Sequence, residues 1–226
     1  MLILVRCLYR RLCIMEHLRK YLVEFIGTFF LVFTVGLTAF APVALPAYKV
    51  AIGFVLMVMV YAGGFVSGGH YNPAVSLAAA VRGALSWTQI AQYWVAQFLG
   101  GAAAAGLVMY FTASPEVEAG CPFGLAALII GEFLFTYALC YVVLMTATSK
   151  ATAGNSYYGL AIGSTVMVGA FVVGGVLCFG AFNPAVALGL WMLKSACLGS
   201  ILITIATNLV AGALAALTYK LVVKED

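Results

Sequence analysis

Six stretches of the chain, near residues 21–41, 48–67, 88–111, 123–146, 157–178 and 196–219, are built almost wholly of apolar residues, with polar and charged positions gathered in the short connections. Each is about 20 residues long, the length at which an α-helix crosses the hydrocarbon core of a bilayer. The pattern therefore predicts six membrane-spanning helices. Two further apolar runs, opening at Pro73 and Pro184, are too short to cross and follow the second and fifth spans.

Composition identifies the solvent. Of 226 residues, 65% are hydrophobic and 8% charged, with a mean hydropathy of +1.13. A soluble domain of this size could not hide so much apolar surface. The short connections leave no room for an extramembrane catalytic domain, so one membrane domain is expected over residues 16–222, with a basic extension at 1–15 and a short tail at 223–226. The N-terminal sequence has no apolar run longer than five residues, too short for a signal-peptide core, and Met15 offers a second candidate start. With the N-terminus inside, nine basic residues (Arg6, Arg10, Arg11, Arg19, Lys20, Arg82, Lys150, Lys220 and Lys224) lie on the cytoplasmic side and two, Lys49 and Lys194, outside. Retention of positive charge in the cytoplasm places both termini there. The same rule accounts for the net charge of +4, and no basic patch interleaved with aromatics suggests nucleic acid. The plasma membrane is the expected location.

The two halves of the chain repeat one another. Asn-Pro-Ala-Val at 72–75 recurs at 183–186, Ala-Ile-Gly at 51–53 recurs at 161–163, and Gln97 and Gly101 recur as Asn208 and Gly212. VEFIGTFFLVF at 23–33 has a counterpart in IGEFLFTYALC at 130–140. A near-constant offset of half the chain marks a duplication. Each half, about 16–115 and 122–222, holds three spans, and an odd number makes the second half enter from the opposite face. The fold class is then an all-α membrane protein of six transmembrane helices plus two re-entrant half-helices in inverted three-helix repeats.

The repeated tetrapeptide reads as a helix start. Asn caps through its side-chain oxygen, and Pro fits the first turn because its missing N–H would have had no partner. Inversion brings the two short helices in from opposite faces, so that their positive N-terminal ends meet near the midplane. Gly68, Gly69 and Gly180 let the entering backbone run extended with carbonyls exposed, which lipid tolerates only along a water-filled path. The pattern implies a pore.

On these residues the chain resembles the aquaporin, or major intrinsic protein, family, through EFIGTFFLVF, SGGHYNPAV, YWVAQFLGG, IGEFLFTY and NPAVALG over roughly residues 16–222. The resemblance implies six tilted helices and two half-helices per protomer, one pore per protomer, and a homotetramer. It makes Asn72-Pro73-Ala74 and Asn183-Pro184-Ala185 the pore boxes, with both asparagine amides donating to the permeating molecule. The pore-loop backbone would be Gly68, Gly69, His70, Tyr71, Ala181 and Phe182. Glu24 and Glu132, costly inside spans, match glutamates that brace those loops through backbone N–H groups, and His70 is likewise expected to brace its loop. The run Gly100 to Ala105, repeated from Ala211, reads as close helix packing.

One position departs from the family pattern. Most of its water channels carry Arg directly after the second box, where this chain has Val186. The other constriction positions would be Ile52, Gly180 and either Phe171, if Gly174-Gly175 is the anchor, or Ala170, if the extra residue of the second half intervenes. Losing the Arg removes a cation and a donor together. Valine at this position also occurs in tonoplast-type members, so the implied solutes are water with ammonia, urea or glycerol. The aspartate typical of glycerol channels is replaced by Ala187. The six cysteines (Cys7, Cys13, Cys121, Cys140, Cys178 and Cys197) show no metal-ligand spacing and read as apolar fillers, with Cys178 near the second box. No nucleophile, phosphate loop, cofactor or metal motif appears, so neither enzyme nor cofactor is expected. The competing readings are a coupled secondary transporter, for which Glu24 and Glu132 are the only intramembrane candidates, and a structural membrane protein with a vestigial pore.

Overall fold

The computed structural model describes residues 2–39, 48–112, 124–177 and 179–224, with side chains from residue 15 onward. Among the described residues there are eight α-helices and no strand: α1 (Leu2–Ala39), α2 (Tyr48–Ser67), α3 (Pro73–Arg82), α4 (Trp87–Phe111), α5 (Leu125–Val143), α6 (Tyr158–Leu177), α7 (Pro184–Met192) and α8 (Leu198–Val222). At about 1.5 Å per residue, helices of 20 or more residues span the roughly 30 Å hydrocarbon core. α3 and α7, with 10 and 9 residues, reach only about halfway. Large apolar side chains such as Phe65, Tyr110, Val176 and Leu221 stand exposed on the outer surface, as lipid permits.

The expected first span, 21–41, is part of a longer element. α1 begins at Leu2 and runs without a break through residue 15, and its apolar portion of membrane length is Met15–Thr38. α5 continues into a π-helical turn at Leu144–Thr148, where the hydroxyls of Thr146 and Thr148 bond back to the carbonyls of Val142 and Leu144, each at 2.7 Å. That turn sets Thr148 beside Arg82, which donates to its hydroxyl at 3.1 Å and its carbonyl at 2.9 Å, and to the Tyr219 hydroxyl at 3.2 Å. The end of α3 is thereby tied to both α5 and α8.

Packing follows the repeat. α1 lies on α4 as α5 lies on α8; α3 lies on α8 as α7 lies on α4; α2 meets α6, and α3 meets α7. Those pairings are what a two-fold axis between the halves requires. Small residues set the close approaches. A Cβ on Gly53 would stand 2.8 Å from the Gly163 carbonyl, and one on Gly163 would collide with the Gly53 carbonyl. Gly101 and Gly212 leave room for the first turns of α7 and α3, since added Cβ atoms would lie 3.0 Å from the Ala185 carbonyl and 2.6 Å from the Ala74 carbonyl. Cys140 is buried in the core and Cys197 is exposed. Cys178, read as a neighbour of the second box, lies outside the described residues, as do Cys121 and the side chains of Cys7 and Cys13.

Candidate functional site

Both boxes begin helices in the same way. Asn72 and Asn183 are extended (φ −156° and −161°), and each side-chain Oδ1 accepts the N–H two residues on, from Ala74 and Ala185, at 2.9 Å. Each proline occupies the first helical turn. The amide groups cross the two-fold: Asn72 Nδ2 donates to the Phe182 carbonyl and Asn183 Nδ2 to the Tyr71 carbonyl, both at 2.9 Å. A primary amide carries two N–H groups, so one of each pair is spent on the opposite loop and one is left for the cavity both asparagines line.

The loops before the boxes are held in a conformation that side chains disfavour. Tyr71 and Phe182, at equivalent places, have φ of 50° and 52°, a left-handed conformation that costs about 1–2 kcal/mol. Buried carboxylates hold them there. Glu24 Oε1 accepts from Ser67 Oγ at 2.6 Å and His70 N at 2.9 Å, and its Oε2 from Tyr71 N at 2.7 Å and Gln97 Nε2 at 2.8 Å. Glu132 Oε1 accepts from Ala181 N at 2.6 Å, and its Oε2 from Phe182 N at 2.9 Å and Asn208 Nδ2 at 2.8 Å. Gln97 and Asn208, noted in the sequence only as repeat markers, thus complete each brace. Their signal was a polar amide in an apolar span at the box offset. Tyr71 also seats its ring against Gly27 and Gly63 and donates its hydroxyl to the Met59 carbonyl at 2.8 Å.

His70 does more than its expected bracing part. Its backbone N–H reaches Glu24, while its ring lines the cavity. Ser76 Oγ accepts from Gln97 Nε2 at 2.9 Å and lies 3.1 Å from His70 Nδ1, so the ring is tied to the Glu24 brace.

The cavity is narrow, about 40 Å³, and runs past Asn72 and Asn183 between aliphatic walls that include Leu31, Leu56, Val75, Leu139 and Ile162. At one end it meets a hollow of about 520 Å³ that shares His70 and Val143 with it and is lined by Lys20, Arg82 and Lys150. Ile52, Ala170, Gly180 and Val186 also line the narrow cavity. Phe171, the first alternative for the fourth constriction position, does not: it is 44% exposed on the outer face of α6, under the Lys49 ammonium. Ala170 stands on the wall in its place. No carboxylate or ammonium lines the narrow cavity among the described residues.

The model of the major intrinsic protein family matches residues 11–219. Aquaporin NIP1-2 of Arabidopsis thaliana is 34% identical over 223 residues, covering 91% of this chain and 74% of that one. Nodulin-26 of Glycine max is 35% identical over 182 residues, covering 76% of this chain and 66% of its own, and the probable aquaporin NIP-type of Nicotiana alata is 33% identical over 180 residues with the same shares, 76% and 66%. The chain spans slightly less than two thirds of the length of these last two relatives. The X-ray structure of the aquaglyceroporin from Plasmodium falciparum superposes with a TM-score of 0.77 over 91% of this chain and 96% of that one, at 21% identity, which is a likeness of fold.

Proposed function

The chain belongs to the major intrinsic protein family, and on that footing we propose that it is a passive transmembrane channel for water and small uncharged solutes, with ammonia, urea and glycerol as the candidate solutes, and that it excludes ions and protons. One observation carries the reading: two crossed helix starts, Asn72 and Asn183, each keep an amide N–H for a cavity only a few waters long. By the measure of 10–15 Å³ per water, its 40 Å³ holds about three in file.

A water that accepts from both amides turns its own hydrogens away from them, toward its neighbours on either side. It cannot accept from one neighbour while donating to the next, so a proton relay stops there. The ends of α3 and α7 each add a partial positive charge of about half a unit. A cation arriving at the asparagines therefore loses water and gains no acceptor in exchange. Toward the far end, Ile52, Ala170, Gly180 and Val186 offer no side-chain hydrogen-bond donor and two of them have almost no side chain. That supports a constriction wider and less polar than one closed by arginine, and hence passage of neutral solutes besides water. The likeness to tonoplast-type members rests on Val186 alone, while the named relatives of the whole chain are NIP-type. We place both termini in the cytoplasm, on the distribution of basic residues, and read the assembly as a homotetramer.

Purified protein in liposomes, followed by stopped-flow light scattering in osmotic gradients of an impermeant solute, urea, glycerol or an ammonium salt, tests the reading. Faster water flow with a low activation energy, and faster entry of at least one neutral solute, are expected. Vesicles that respond no faster than empty ones would sink it.

A further inference from the structure

We infer that Lys49 is a specificity-determining residue: its ammonium, held against α6 over Phe171, the neighbour of the cavity-wall residue Ala170, supplies the cation barrier that Val186 cannot. This rests on the channel reading above and adds to it a residue outside the boxes and the constriction.

The seat is built from both halves. Lys49 lies in the first turn of α2, three residues before Ile52, so the two share one helix face with Lys49 a turn nearer the end of the element. Its Nζ lies 5.4 Å from the ring centroids of both Tyr48 and Phe171, the second belonging to the residue next to Ala170 on the cavity wall. Gly175 leaves the space: a Cβ there would stand 3.0 Å from Nζ. The adjoining Gly174 faces the pore loop, because a Cβ on Gly180 would be 3.6 Å from the Gly174 nitrogen. The ammonium thus sits on the piece of α6 that abuts the cavity-lining Gly180.

Neither helix stability nor membrane topology explains a cation here. The first turn of α2 is the positive end of its dipole, where a cation is disfavoured. In the proposed orientation Lys49 is on the side poor in basic residues, and unlike the exposed Lys194 it is half-buried. Held over two ring faces, it keeps its charge near the entrance at a small loss of hydration. At its far mouth the cavity has Lys20, Arg82 and Lys150, so both entrances repel cations while the lumen between them stays neutral.

The test compares wild type, Lys49→Met, Lys49→Arg and Gly175→Leu in liposomes, with water flux by light scattering and entry of sodium and methylammonium by conductance and dye response. Lys49→Met keeps the length and apolar stem, and is expected to retain water flux while cation entry rises about tenfold. Lys49→Arg should stay at the wild-type level, and Gly175→Leu, which evicts the ammonium, should behave as Lys49→Met. The gap between wild type and Lys49→Met should shrink at about 1 M salt, where charges are screened within ~3 Å. Unchanged cation entry in Lys49→Met, or equal rises in the Met and Arg variants, overturns the role of the charge. Absence of water flux in wild type would instead bring down the channel reading itself.

Discussion

Changing either buried glutamate to glutamine gives a sharp test of what the braces do. Counting hydrogen bonds, Glu24 with four donors should matter more than Glu132 with three among the described residues. The geometry says otherwise. In both cases each carboxylate oxygen receives one backbone N–H, from His70 and Tyr71 or from Ala181 and Phe182. The remaining donors, Ser67, Gln97 and Asn208, are a hydroxyl and two amides that can reverse and accept, and the Gln97 and Asn208 oxygens have no other partner. A backbone N–H cannot reverse. Whichever way the new amide turns, its NH2 group meets one N–H in each half, and a stranded buried donor costs about 1–3 kcal/mol. Glu24→Gln and Glu132→Gln should therefore destabilise by similar amounts, about 2 kcal/mol each and within about 1 kcal/mol of one another. At about 2–4 °C per kcal/mol for a chain of this size, each should unfold about 4–8 °C below wild type. Thermal unfolding in detergent, followed by tryptophan fluorescence, reads the shift. A loss in Glu24→Gln that exceeds the other by more than that margin, or no loss in either, refutes the reasoning.

Asn72→Asp or Asn183→Asp places a negative charge at the positive ends of α3 and α7, so on the proposed reading ion conductance should rise with water flux still measurable; equal conductance in both variants and wild type would locate the barrier elsewhere. Val186→Arg adds a donor and a cation beside Ala170 and Gly180, and should lower urea and glycerol entry severalfold relative to water, with an unchanged ratio removing Val186 from the constriction. Gly212→Ala drives a Cβ to 2.6 Å from the Ala74 carbonyl and should cost about 1–3 kcal/mol of overpacking. Gly101→Ala, with 3.0 Å available to the Ala185 carbonyl, should cost less, and thermal unfolding of the pair checks the order.

Much of the fold was legible because lipid simplifies the code. Backbone groups in hydrocarbon must pair within their own helix, so an apolar run of about 20 residues predicts a spanning helix without any help from tertiary contacts. The second and fifth expected spans fall within a residue of α2 and α6. The half-helices were legible for a different reason: Asn followed by Pro is a local signal, and the cap bonds of Asn72 and Asn183 are made within two residues. The start of α1 was not, since charged residues between 6 and 20 carry no marker that separates an extension from a helix continuing beyond the membrane. The hydrogen bonds that cross the halves, Asn72 to Phe182 and Asn183 to Tyr71, link residues 110 and 112 apart and have no local trace.

The choice between Phe171 and Ala170 shows how a repeat can mislead by one residue. Two anchors were available in α6: Gly174-Gly175 against Gly63-Gly64 gives an offset of 111, and Ala-Ile-Gly at 161–163 against 51–53 gives 110. The packing favours the second, because α2 and α6 touch across the two-fold where Gly53 meets Gly163, an offset of 110. Tyr71 and Phe182, the left-handed residues, are 111 apart. The extra residue must then lie after α6, in the loop entering the second box, and the glycine pair that matched at 111 does so by coincidence of composition. A helix holds its register through packed contacts along its whole length, whereas a loop absorbs an insertion at little cost. Turning α6 by one residue, about 100°, is what separates a phenylalanine on the outer face beneath Lys49 from an alanine on the cavity wall.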